Sequence, residues 1–123
     1  MTLRELYTEI GGDYDRAIKV LRIEKLVDKH IRKLPANPVF GDLAEAGKAM
    51  DGERIFECAH AIKGVCTNLG LVDLADAAEE LCEEFRSGNP RKMTDAEVGV
   101  KLAETQRLFD KAAKGIRSYA SEV

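Results

Sequence analysis

From Val98 to Tyr119 the residues Val98, Leu102, Thr105, Phe109, Ala112, Ile116 and Tyr119 return at alternating intervals of four and three. That rhythm matches the 3.6-residue turn of an α-helix and is incompatible with a strand, whose side chains change face at every residue. A helix this long with one apolar stripe must bury the stripe against others of its kind. Two further stretches supply them: Ile55, Ala59, Ile62, Cys66 and Leu69, then Leu71, Leu74, Ala78, Leu81 and Phe85. Neither β-type alternation nor a hairpin turn occurs anywhere in the sequence. The expected fold is therefore all-α, an antiparallel four-helix bundle with short additional N-terminal helices, because short connections favour antiparallel neighbours.

Punctuation residues divide the chain. Leu3, Leu6, Tyr7 and Ile10 mark a first helix that Gly11 and Gly12 stop, and Asp13 is a fitting N-cap for a second helix with Ala17, Ile18 and Leu21 on its apolar side. A break is expected between Leu21 and Ile23. Ile23, Leu26, Val27, Ile31 and Leu34 then form a stripe that Pro35 and Pro38 terminate. Phe40, Leu43, Gly47 and Met50 carry the next helix as far as the Asp51-Gly52 turn, and the central helix runs from about Glu53 to Leu69, where Gly70 ends it. Ser87-Gly88-Asn89-Pro90 is a loop, and Thr94 with Glu97 forms a capping-box pattern at the start of the last helix. Residues 1–38 thus hold the N-terminal helices and 39–119 the core bundle, within a single domain spanning 1–123. Its length suffices to bury one core without disulfides or metal. The acidic residues Asp73, Asp76, Glu79, Glu80, Glu83 and Glu84 are expected on a solvated face, and His30 as a half-buried structural ring.

Composition narrows the partners. A formal charge of −3 and a pI near 5.5 give no reason to expect nucleic acid or an anionic membrane surface. No apolar run approaches the roughly 20 residues needed to cross a bilayer, and MTLRELYTEIGG lacks the basic-then-apolar layout of a secretory signal, so a cytoplasmic protein is expected. Cys58, Cys66 and Cys82 form no C-x-x-C pair, which argues against a disulfide framework or zinc site, and Cys66 falls on the core stripe. No unpartnered apolar face calls for a dimer, so a monomer is expected.

The candidate chemistry lies on the central helix. Measured from the centre of its apolar stripe, His60 falls at about 140°, Lys63 at about 80°, Gly64 at about 180° and Thr67 at about 120°. These four residues share the face turned from the core, with Phe56 one turn before His60 at its edge. Residues three and four apart are surface neighbours, so Lys63 and Gly64 both flank the imidazole. A lone histidine on a polar helical face is ordinarily just solvated. Here a helix-interior glycine, which costs about 0.5–1 kcal/mol relative to alanine, clears space beside the ring.

His60, Lys63, Gly64, Leu69 and Gly70, read as H-x-x-K-G-x-x-x-x-L-G, resemble the signature of histidine-containing phosphotransfer (HPt) domains of multistep two-component phosphorelays. LVDLADAAEELCEEF resembles the helix that follows in that family. The resemblance implies that His60 accepts a phosphoryl group from the aspartyl phosphate of a receiver domain and passes it to the aspartate of another, with Lys63 neutralising the phosphoryl oxygens. A neutral imidazole suits the task, since an unperturbed histidine has a pKa of about 6.5. Phe56, Thr67, Asn68, Cys82 and Arg86 are candidates for the docking surface. In several family members a glutamine 22 residues after the histidine holds the imidazole; here that position is Cys82, so another group must orient the ring. No phosphate-binding glycine loop and no carboxylate set for Mg²⁺ appears in the sequence. The chain is therefore expected to be a phosphotransfer intermediate, not an enzyme with its own kinase activity, without cofactor or metal; Mg²⁺ is expected only on the partner receiver. Three alternatives stand beside this reading: an HPt-like module that binds a receiver or kinase without transfer, the phosphoacceptor module of a chemotaxis-type histidine kinase, and a bundle with a metal site. The last needs Glu-x-x-His pairs on facing helices; Glu57 precedes His60 at that offset, but Val27 precedes His30.

Overall fold

The computed structural model describes residues 1–122 and contains, among them, α-helices and one 3₁₀ turn but no strand. In chain order these are α1 (Leu3–Ile10), α2 (Tyr14–Leu21), α3 (Glu24–Lys33), the 3₁₀ turn Leu34–Ala36, α4 (Val39–Lys48), α5 (Gly52–Asn68), α6 (Val72–Phe85) and α7 (Asp95–Ser121). Helix starts follow the side chains that can accept orphan amides. Thr2 with Glu5 and Thr94 with Glu97 each close a capping box on α1 and α7. Asp13 and Asp51 accept from Arg16 N at 3.0 Å and Arg54 N at 3.3 Å to open α2 and α5. Only the Thr94 box was anticipated; Thr2-x-x-Glu5 carries the same signal at the chain's start.

Helices α4 to α7 form the bundle, each against the next, with α7 closing on α4. Ala49–Asp51 and Leu69–Leu71 are too short to do anything but reverse the chain. The interior is aliphatic: Ile55, Ala59, Ile62, Cys66, Leu81, Val98 and Ile116 are at most 1% exposed, and Phe40 stacks on Phe109 with ring centroids 3.9 Å apart. Each fully buried branched side chain stabilises the fold by about 1.5–3 kcal/mol. Thr105, the polar member of the α7 stripe, is satisfied within its own helix by donating from Oγ1 to Lys101 O at 2.8 Å.

At 27 residues, α7 is about 40 Å long, against about 25 Å for the 17 residues of α5. Its C-terminal part outruns the bundle and gives α1, α3 and the 3₁₀ turn a surface to pack on. There the Tyr119 hydroxyl bonds to Asp28, whose other oxygen accepts from Arg32 Nε at 2.9 Å. The N-terminal helices in turn close the C-terminal end of α5. Tyr7 Oη donates to Leu69 O at 2.7 Å, and Asp13 N donates to Gly70 O at 2.7 Å. Gly70 has φ +69°, and a Cβ there would lie 2.2 Å from Asp13 O, so conformation and space both demand glycine.

Several expectations need correction. Ile23 and Leu26 are 53% and 37% exposed, leaving Val27, Ile31 and Leu34 to carry the α3 stripe, and His30 is exposed rather than half-buried. The helix is only ten residues long, and α7 with the 3₁₀ turn covers a narrow band of it. Met50 lies beyond α4 at φ 49°, and the anticipated break before α3 falls at Arg22, with φ 79° and ψ −40°. Glu84, expected in solvent, is 6% exposed; its carboxylate accepts from Arg91 Nε at 2.8 Å, Met93 N at 2.8 Å and Lys92 N at 3.0 Å, fastening the loop between α6 and α7.

Candidate functional site

The outer face of α5 follows from the depth of its inner one. Ile55, Ala59, Ile62 and Cys66 are wholly buried, so the helical period turns His60, Gly64 and Thr67 outward, and all three are exposed. A Cβ built on Gly64 would meet nothing within 4 Å. The space beside the imidazole is open, and nothing in the fold itself requires a glycine there.

The imidazole is flanked on its own helix. Phe56, half-buried, lies nearly parallel to the His60 ring, with centroids 5.8 Å apart and planes at 15°. Arg86, just past the end of α6, holds its guanidinium 5.3 Å from the Phe56 ring centroid. Arg86 is itself held by Glu83, which accepts from Nε at 3.1 Å and Nη2 at 3.0 Å. Phe56 thus lies between two contacts, the His60 ring along its own helix and the Arg86 guanidinium from α6's end.

Cys82 is not part of any surface. It is wholly buried on the inner stripe of α6, and its Sγ lies 4.0 Å from Phe56 O, the carbonyl rather than the imidazole. Burial pushes the thiol up to about 11, so it stays protonated at neutral pH. The expectation that Cys82 belongs to the docking surface is corrected: α6 lies so close to α5 that this position faces the helix interface. Thr67 and Asn68 are exposed farther along α5, and Asn68 borders a cavity of about 290 Å³ shared with Leu21, His30, Lys33 and Asn37.

Lys63 crosses to α6. Its Nζ forms an ion pair with Glu79 Oε2, with the two side chains 40% and 36% exposed. Contact with that carboxylate holds the ammonium above the ordinary lysine value of 10.5, so Lys63 is a cation at any physiological pH. The sequence alone puts Glu79 among solvated acids. No local signal ties it to a lysine 16 residues earlier, because the contact exists only through the packing of α6 on α5. Among the described residues no cluster of three or more histidine, cysteine or carboxylate side chains is arranged to hold a metal ion.

A family model, Hpt domain, matches residues 23–114, which run from the start of α3 into α7 and include every residue of this face. The chain belongs to the Hpt domain family. Comparison with curated proteins and with solved structures found no match. Hpt domains are histidine phosphotransfer modules of phosphorelays; they lack kinase activity and work with receiver domains of response regulators or kinases. Of the histidines in this Hpt domain, both are exposed, but only His60 has a cation one turn away on its own helix paired across the bundle and a clear space beside it. No helix among the described residues is long and apolar enough to cross a membrane.

Proposed function

We propose that this Hpt domain is a relay intermediate that takes a phosphoryl group on His60 from a receiver aspartyl phosphate and delivers it to the aspartate of a second receiver. The unprotonated imidazole nitrogen attacks phosphorus, an N–P bond forms, and the acyl P–O bond breaks with its electron pair leaving on the receiver carboxylate. The proton on the other ring nitrogen stays in place, so charge balances without an added acid or base. Delivery is the reverse reaction on a second aspartate. Mg²⁺, where the reaction uses it, is held by the receiver. The domain contributes position and one positive charge, which is what phosphoryl transfer chiefly needs.

The observation that carries this reading is the exposed His60 ring set against Phe56, with open space at Gly64 and Lys63 one turn on. Phe56, Thr67, Asn68 and Arg86 provide the surface on which a receiver would dock, and a cytoplasmic setting follows from such partners. The test is transfer from phosphorylated receiver domains to the wild type and to His60→Gln. Acid-labile label is expected on the wild type and not on the variant, with both equally helical. Label on the variant would assign the phosphoacceptor elsewhere, and absence of label on the wild type with every receiver would favour a binding module without transfer.

A further inference from the structure

The cation expected to meet the phosphoryl group is already engaged. Lys63 Nζ sits against Glu79 Oε2, and that oxygen is shielded from solvent and makes no other hydrogen bond. Among the described residues Lys63 is the one cation paired with Glu79. Arg86 is committed to Glu83, and Lys101, the other lysine reaching α6, is paired with Glu80 and Glu104. If Lys63 turns toward a phosphoryl group on His60, the shielded oxygen loses its counter-charge and must rotate into water or remain unpaired, and either alternative costs free energy.

We propose that Glu79 sets how much of the phosphoryl group this domain retains at equilibrium, by competing with phosphorylated His60 for the Lys63 ammonium. The inference rests on the reading of His60 as phosphoacceptor. Glu79 takes no part in bond making; it is a positioning residue acting through Lys63. Because binding couplings are reciprocal, whatever the carboxylate gains by holding Lys63 in the resting domain is withheld from the phosphorylated one. The result is a phosphohistidine poised to be handed on. Cys82 sharpens the effect, for a buried, neutral thiol at the position facing α5 offers no polar hold on the imidazole.

The experiment is an equilibrium partition of label between the full chain and a receiver domain that exchanges with it, for the wild type, Glu79→Gln, Lys63→Met and the double variant. Circular dichroism establishes that each is folded, and the glutamine, isosteric and half-exposed, leaves α6 packed as before. The partition toward His60 is expected to rise about five-fold in Glu79→Gln, the scale set by a partly exposed ion pair. In the Lys63→Met background the same substitution is expected to have little effect. Failure of the wild type to exchange with any receiver would remove the phosphoacceptor reading. Exchange by the wild type with an unchanged partition in Glu79→Gln would overturn the present inference alone. A full shift persisting without Lys63 would also overturn it, since Glu79 would then act by direct repulsion. An NMR titration of the resting domain supplies a readout independent of transfer, in which the Lys63 ammonium should titrate lower in Glu79→Gln than in the wild type.

Discussion

At Gly64 two demands on one residue come apart. Glycine inside a helix gives up about 0.5–1 kcal/mol relative to alanine, and no neighbouring atom at this position would clash with a side chain. Gly64→Ala is therefore expected to stabilise the domain by about 0.5–1 kcal/mol in urea unfolding, without loss of helicity. Gly64→Gln should keep most of the stability but slow phosphoryl exchange with receivers, because its side chain fills the space beside His60. Exchange at the wild-type rate in the glutamine variant would show that a partner does not need this clearance. His60 itself is placed by other means. With the thiol of Cys82 turned into the core, the imidazole is left with the Phe56 ring, which the Arg86 guanidinium also contacts. Stacking restrains the plane of the ring, and among the described residues neither nitrogen makes a hydrogen bond.

At the scale of the element, α5 depends on helices that precede it in the chain. The carbonyls of Leu69 and Gly70, just past its C-terminus, accept from Tyr7 Oη and Asp13 N. The second of these bonds forms with Gly70 in the left-handed region, where a Cβ would lie 2.2 Å from the Asp13 carbonyl oxygen. Gly70→Ala must strain the backbone, at about 1–2 kcal/mol, and push away a main-chain contact worth about 0.5–1.5 kcal/mol. A destabilisation of about 2–3 kcal/mol is expected in denaturant unfolding, together with weakened protection of α2 in hydrogen exchange. A loss within about 0.5 kcal/mol, the range of an ordinary surface change, would mean that the Asp13 turn can move aside freely. The short α2 and α3, by contrast, are joined through Arg22 at positive φ and leave Val20, Ile23 and Leu26 in solvent.

At the scale of the whole molecule, several carboxylates tie elements together and make the fold sensitive to acid. Desolvation alone would raise the Glu84 carboxyl, but the Met93 amide, the Arg91 guanidinium and the Lys92 amide outweigh it and hold the group below its ordinary value of 4.5. Asp28, joining α3 to α7, is desolvated too, yet the Tyr119 hydroxyl and Arg32 keep it below 3.8. A carboxyl with a lowered folded-state pKa contributes stability that is complete above its unfolded value and lost as pH falls through the folded one. Urea midpoints should therefore be level near neutrality and decline from about pH 4.5 downward. Glu84→Gln should unfold more easily at pH 7 and show a shallower decline in acid, because the group that loses its partners on protonation has been removed. An equal slope in the variant would place the acid sensitivity in other carboxylates.

Much of this architecture can be read from spacing alone. A helix turns 100° per residue whatever surrounds it, so the stripe from Ile55 to Leu69 determines that Cys66 points inward and His60 outward, and the rhythm from Val98 to Tyr119 determines one long helix. Gly70 announces the end of α5 because few other residues tolerate its conformation. Azimuth on a helix does not say which neighbour covers it or how far the cover extends. Only the approach of α6 to α5 decided that Cys82 is core rather than surface and that Glu79 meets Lys63 across 16 positions of sequence. Only the return of the loop after α6 decided that Glu84 is buried among donors instead of solvated with its acidic neighbours. The narrow cover given to α3 likewise left His30 and Leu26 in solvent although the apolar period ran past them. Period is a local property of the backbone, whereas burial and ion pairing are set by the distances between helices that their packed cores impose.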